Sequence, residues 1–191
     1  MPVRNLDMAR VDTTRSHDLV VVFGDTKLLR SEQRAAAALE LKGRRYILLG
    51  TEREQDAMEA VLLTKFYEAQ GAISRTTPTR STATNMMVFD SLLHTYTYPV
   101  RVMAPDTENP GAVTVAIVTH EGQATRLADV YLAGGRPFAD ITYHVLKDSV
   151  RGLAEHHFLR IFFDSRLANG ENAIVAGIVG AREDFKGRVE K

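Results

Sequence analysis

Three short apolar runs limit what this chain can fold into: Leu19-Val20-Val21-Val22-Phe23, Tyr46-Ile47-Leu48-Leu49 and Val113-Thr114-Val115-Ala116-Ile117-Val118. Each ends in glycine or polar residues, respectively Gly24-Asp25-Thr26-Lys27, Gly50-Thr51-Glu52 and Thr119-His120-Glu121. Runs of this length, rich in Val and Ile and followed by helix-favouring sequence, read as fully buried parallel strands. In open parallel sheets, ligands bind outside the carboxyl ends of the strands. The residues that close the three runs are therefore the expected site.

Strand and helix alternate along the chain. Residues 30–42 are Ala-rich and favour a helix, with Gly43 placed to end it. A second helix is expected over 55–69, where Met58, Leu62, Phe66 and Ala69 form one stripe, with Gly71 at its end. The stretch from Ile73 to Asn85 is polar, and Ser81 or Thr82 can cap a helix that buries Met86, Phe89 and Leu93. Val100-Arg101-Val102-Met103 reads as a short strand. A helix over 122–133, a strand over 141–146 and an amphipathic helix over 150–163 complete the pattern. Such βα alternation predicts an α/β fold, a three-layer sandwich with a mainly parallel, Rossmann-like central sheet and right-handed crossovers. Residues 1–168 read as one domain with its core at 18–167, and 169–191 as a C-terminal extension.

Composition narrows the function classes. Of the 191 residues 45% are hydrophobic and 25% charged, as in ordinary globular proteins. Lys plus Arg (24) balance Asp plus Glu (24), so no global field draws the chain to nucleic acid or an anionic membrane. The absence of cysteine excludes disulfides, thiolate metal sites and cysteine nucleophiles. No apolar stretch reaches the length of a membrane span, and the polar start Met1-Pro2-Val3-Arg4 is unlike a secretory signal, so a cytoplasmic location is expected.

The candidate chemistry clusters at the strand ends. Gly24, Asp25 and Thr26 form a loop that can cradle an anion, although the glycines of a Walker A loop or a GxGxxG fingerprint are missing. Gly50 and Glu52 close the second strand, and Glu52 and Glu59 are spaced to share a helix face and so to handle protons. Glu54 and Asp56 read instead as solvated residues of a first helical turn. Thr82 and Asn85 offer hydrogen bonds at a helix start. Thr119, His120, Gln123 and Arg126 make the richest strand end, with His120 a candidate acid or base and Arg126 a fork for phosphate or carboxylate. Each of these also has a structural role open to it, as turn, cap or solvated residue. No HExxH or HxH spacing supports a metal. The adjacent pair His156-His157 would diverge by roughly 100° on a helix and cannot chelate one ion. No GxSxG elbow marks a serine hydrolase.

Taken in order, these segments resemble the YdcF/SanA/ElyC-like family of bacterial domains. The likeness is carried by Asp18 to Gly24 with Arg34 in the following helix, by Ile47-Leu48-Leu49-Gly50 with Glu59-Ala60 and Gly71-Ala72, by Thr82 and Asn85, by Ile117-Val118-Thr119 with Arg126, and by Glu155 with 158–163. Met58, Ser81, Thr84 and Gln123 depart from the family's pattern. Gln123 stands where the family has a histidine, and glutamine cannot titrate. The resemblance implies a small-molecule ligand and, for one branch, S-adenosylmethionine. The resulting expectation is a domain binding a small nucleotide-like or phosphorylated anion, with Glu59 and His120 handling protons if it is a hydrolase or transferase. A non-catalytic relative and an S-adenosylmethionine-dependent transferase are the alternatives. The helix over 150–163 suits the core better than a homodimer face.

Overall fold

A computed structural model describes residues 13–64, 72–103, 112–132, 136, 138–150 and 152–154 of the chain. Five strands form one all-parallel sheet in the order β3-β2-β1-β4-β5. They are β1 (Ser16–Phe23), β2 (Lys42–Leu49), β3 (Ile73–Arg75), β4 (Val113–His120) and β5 (Ala139–Leu146). The helices between them are α1 (Leu28–Ala38), α2 (Glu52–Leu63), α3 (Thr82–Met103) and α4 (Glu121–Arg126), the last running into a π-helical turn, Leu127–Tyr131. The three apolar runs thus lie in the three central strands, forming the carboxyl-terminal parts of β1 and β2 and most of β4.

Side chains alternate across the sheet and build two cores. On one face Val20, Val22, Leu48, Ala116 and Val118 pack with Ala35 and Ala38 of α1 and Met58 and Leu62 of α2. On the other, Leu19, Val21, Phe23, Ile47, Leu49, Val115 and Ile117 pack with Met86, Phe89 and Leu93 of α3 and with Leu127 and Leu132. This is the expected three-layer, Rossmann-like arrangement. The amino-terminal ends of β1 and β4 are tied by Asp18, whose Oδ2 accepts from the Thr114 amide and hydroxyl, both at 2.9 Å.

Several local expectations are corrected. Helix α1 stops at Ala38, and Gly43 lies inside β2. There it serves close packing, because a Cβ would meet Val20 Cγ2 at 2.6 Å and the Tyr46 ring at 3.2 Å. Val100 to Met103 are the last turn of α3, not a strand. The helix continues past Pro99, so the local β preference of Val100 and Val102 is overridden. Ile73–Arg75 forms the short edge strand β3 within a stretch read as loop. Ser81 does cap α3, accepting from the Thr84 amide at 3.2 Å. The helix expected over 150–163 is described only at its start, and the extension 169–191 lies outside the described residues.

Gly50, the first residue beyond β2, has φ +149°, a conformation that L side chains rarely adopt. A Cβ there would also run into the Glu54 carboxylate. Gly50→Ala is expected to cost roughly 1–3 kcal/mol. It should lower the urea midpoint at an unchanged denaturant slope.

Candidate functional site

The strand order places the topological switch between β1 and β4. The chain leaves β1 toward α1 on one face and leaves β4 toward α4 and Leu127 on the other, the arrangement that in open parallel sheets makes a crevice at the carboxyl edge. Hydrogen-bonded register between the two strands ends at Val22↔Val118, although β1 runs on to Phe23 and β4 to His120. The polar groups beyond that last pair need other partners.

Arg34 supplies them. It is completely buried on the sheet-facing side of α1, at the position following Ser31 and preceding Ala35 and Ala38 in a 31, 34, 35, 38 stripe. Its Nη1 donates to the carbonyls of Phe23 at 2.7 Å and Gly24 at 2.8 Å. Nη2 donates to Asp25 Oδ2 at 2.7 Å, and Nε to His120 Nδ1 at 2.8 Å. One guanidinium thereby joins the end of β1, the loop after it and the end of β4. Burial lowers its pKa to about 10, against the attraction of Asp25, so it stays charged at neutral pH.

Asp25 extends the network. Its Oδ2 also pairs with Arg30 Nε at 3.2 Å, and its Oδ1 accepts the Lys27 amide at 3.1 Å. Arg30 in turn donates to Asp148 Oδ1 at 2.9 Å, beyond β5, and Asp148 Oδ2 accepts the Gly122 amide of α4 at 3.3 Å. The first turn of α1 has no side-chain cap from Lys27 and no acidic residue. The Asp25 carboxylate supplies negative charge there from the preceding loop, where an anionic ligand was expected.

Glu54 departs from the solvated role read for it. It is buried and closes a capping box with Thr51, whose amide donates to Glu54 Oε2 at 2.9 Å. Gly24 and Gly50 let it approach, since a Cβ on either would strike its carboxylate. Burial, the largest influence, pushes the Glu54 carboxyl above its ordinary value.

His120 closes β4 with 4% of its surface exposed. Burial, reinforced by Arg34 and Arg30, lowers its pKa to about 4, so the ring is neutral at pH 7. A group so far below neutrality is a weak general base. Glu59 does not join it. It lies seven residues, about 10 Å, along α2 from Glu52 and pairs with Arg75 of β3 at 3.5 Å. Three strand spacings separate β3 from β4, about 14 Å.

The remaining candidates divide between the two sides of the sheet edge. Thr26 and Glu52 are exposed at the starts of α1 and α2. Thr82 and Asn85 are buried in the first turn of α3, which a Thr79 amide bond to the Gly50 carbonyl at 2.9 Å tethers to the end of β2. Asn85 Oδ1 accepts from the Thr79 hydroxyl. Thr119 donates to Gln123 Oε1 at 2.8 Å, both buried, and Arg126 is buried one helical turn further on. Among the described residues, the carboxamide nitrogens of Asn85 and Gln123 donate to no protein acceptor. The described residues contain no group of three or more His, Asp or Glu placed to hold a metal ion. Arg34, Arg30 and Asp148 were not among the expected site residues. The signal for Arg34 was a lone arginine within the alanine stripe of α1.

Two outcomes follow. Arg34→Met, which takes the buried cation from Asp25 and the Arg34 donor from His120 Nδ1 and two carbonyls, should destabilise the protein by roughly 3–5 kcal/mol in urea unfolding. His120 binds its proton at about 4 when folded, against the ordinary 6.5 of the unfolded chain. Between these values the unfolded state holds more protons, so its contribution is complete above 6.5 and is lost as pH falls toward 4. Its slope is at most about 1.4 kcal/mol per pH unit. His120→Asn keeps an acceptor for Arg34 without the titration, and the difference between its stability–pH curve and the wild type's should show that slope.

Compared with family models, curated proteins and solved structures, the chain matches none.

Proposed function

We propose that this protein binds a small nucleotide-like or phosphorylated ligand in the crevice between the carboxyl ends of β1 and β4, as a divergent YdcF-like domain. One observation carries the reading: the sheet order puts β1 and β4 side by side with their following helices on opposite faces. That is the position at which open parallel sheets take ligands. Asp25 already supplies negative charge at the start of α1, so the polar groups left for the ligand are the Thr26 hydroxyl and the His120 imidazole. On the α3 side they are Thr82 and the carboxamides of Asn85 and Gln123.

A specific observation favours binding over catalysis. The two residues expected to handle protons are apart, one a neutral buried imidazole and the other in a surface ion pair with Arg75. Gln123 in place of the family's histidine points the same way. An S-adenosylmethionine-dependent transferase is the less supported alternative, since the loop after β1 lacks a glycine-rich fingerprint.

Thermal unfolding with ATP, a sugar phosphate and S-adenosylmethionine, each in separate titration, tests the proposal. A ligand at a hundredfold excess over its Kd adds about 2.7 kcal/mol, a rise in Tm of about 5–10 °C for a chain of this size. At least one of the three should produce it, and Asn85→Ala combined with His120→Asn should abolish it. No shift with any of them would overturn the binding function.

A further inference from the structure

We infer that Arg34 is a positioning residue for His120: its Nε–H fixes the imidazole as the Nε2–H tautomer, so the end of β4 carries a permanent hydrogen-bond donor instead of a proton-exchanging group. The inference deepens the binding function proposed above by naming what His120 contributes. The geometry it starts from is independent of any ligand.

An arginine side chain has five N–H donors and no lone pair to accept with. At 2.8 Å from Arg34 Nε, the Nδ1 of His120 must therefore be the acceptor and carry no proton. A neutral imidazole with Nδ1 unprotonated holds its proton on Nε2. Arg34 cannot turn away to relax this assignment, because Nη1 is held by the Phe23 and Gly24 carbonyls and Nη2 by Asp25. A second proton, on Nδ1, would face the guanidinium N–H directly. A water at the same place could exchange donor and acceptor roles with the ring, and a lysine on its flexible stem could withdraw. The rigid fork of arginine has neither freedom.

The charged groups around the ring act in the same sense. Arg34 and Arg30 face it from α1, Asp25 from the loop after β1 and Asp148 from the segment after β5, and desolvation and the two cations outweigh the two carboxylates. Among the described residues Nε2 has no acceptor, while the residue is more than nine-tenths buried. The ligand atom it takes is accordingly an acceptor: a hydroxyl, carbonyl or phosphoryl oxygen. An ammonium group, which brings only donors, is disfavoured at that point.

The test is a long-range ¹H–¹⁵N correlation spectrum of the full chain labelled at histidine, recorded between about pH 5 and 8. The His120 resonances are assigned by their loss in H120N. The expected pattern is an unprotonated Nδ1 and a protonated Nε2, unchanged across that range. In R34K, which keeps a positive charge but lacks the fork, the ring should show mixed tautomers or titrate within the window. A protonated Nδ1 in the wild type, a wild-type midpoint within the window, or an R34K spectrum identical to the wild type's would each overturn the inference. Should R34K fail to fold, the wild-type spectrum decides alone. If the ring behaves as expected but none of the three ligands shifts the Tm, the binding proposal falls and the role of Arg34 stands.

Discussion

A single buried guanidinium governs the carboxyl edge of this sheet. Parallel strands that diverge at a topological switch leave backbone carbonyls without ladder partners, and buried carbonyls cannot be left unmade. Arg34 reaches up from the apolar face of α1 and accepts that duty for Phe23 and Gly24, where the β1–β4 register has ended. Charge-assisted bonds of this kind are about twice as strong as neutral ones. Their cost is the desolvation of a cation, which the Asp25 carboxylate offsets at 2.7 Å. The same group ties together the strand ends on the two sides of the switch.

Other features of the edge follow from that choice. Asp25, drawn in by Arg34, also pairs with Arg30, and Arg30 carries the connection to Asp148 beyond β5 and so to the start of α4. Glu54, beneath Gly24 and Gly50, ties the end of β2 to α2. The ends of β1, β4 and β5 are thereby linked through two arginines and two aspartates, all partly or wholly shielded from water. Removing one partner from such a network leaves a buried charge. That cost makes the edge a poor place for substitution.

The sheet was legible in the sequence because residues 19–23 of β1, 46–49 of β2 and 115–118 of β4 are buried on both faces and are apolar. β3 was not, since three residues at an edge, ending in an exposed arginine, leave no hydrophobic run. Gly43 looked like a helix terminator because the side chains that crowd it, Val20 and Tyr46, meet it only in the folded sheet. The candidate site divides in the same way. His120, Asp25 and Gly24 were found from their places at strand ends. Arg34, Arg30 and Asp148 are spread over more than a hundred residues, and only the packing of α1 beneath the sheet brings them together. Spacing placed Glu59 on one face with Glu52, but the same helical rise carries it away from the edge.

The π-helical turn after α4 has a consequence of another kind. Leu132 donates its amide to the Leu127 carbonyl, five residues back, at 2.8 Å, and both leucines reach the same core. In an α-helix residues five apart stand about 140° from each other, whereas residues four apart share a face. Removing one residue between them would let an ordinary α-turn bury the same two leucines. This segment therefore absorbs a change of one residue in chain length without altering which side chains fill the core. The strands and the arginine clamp offer no such freedom.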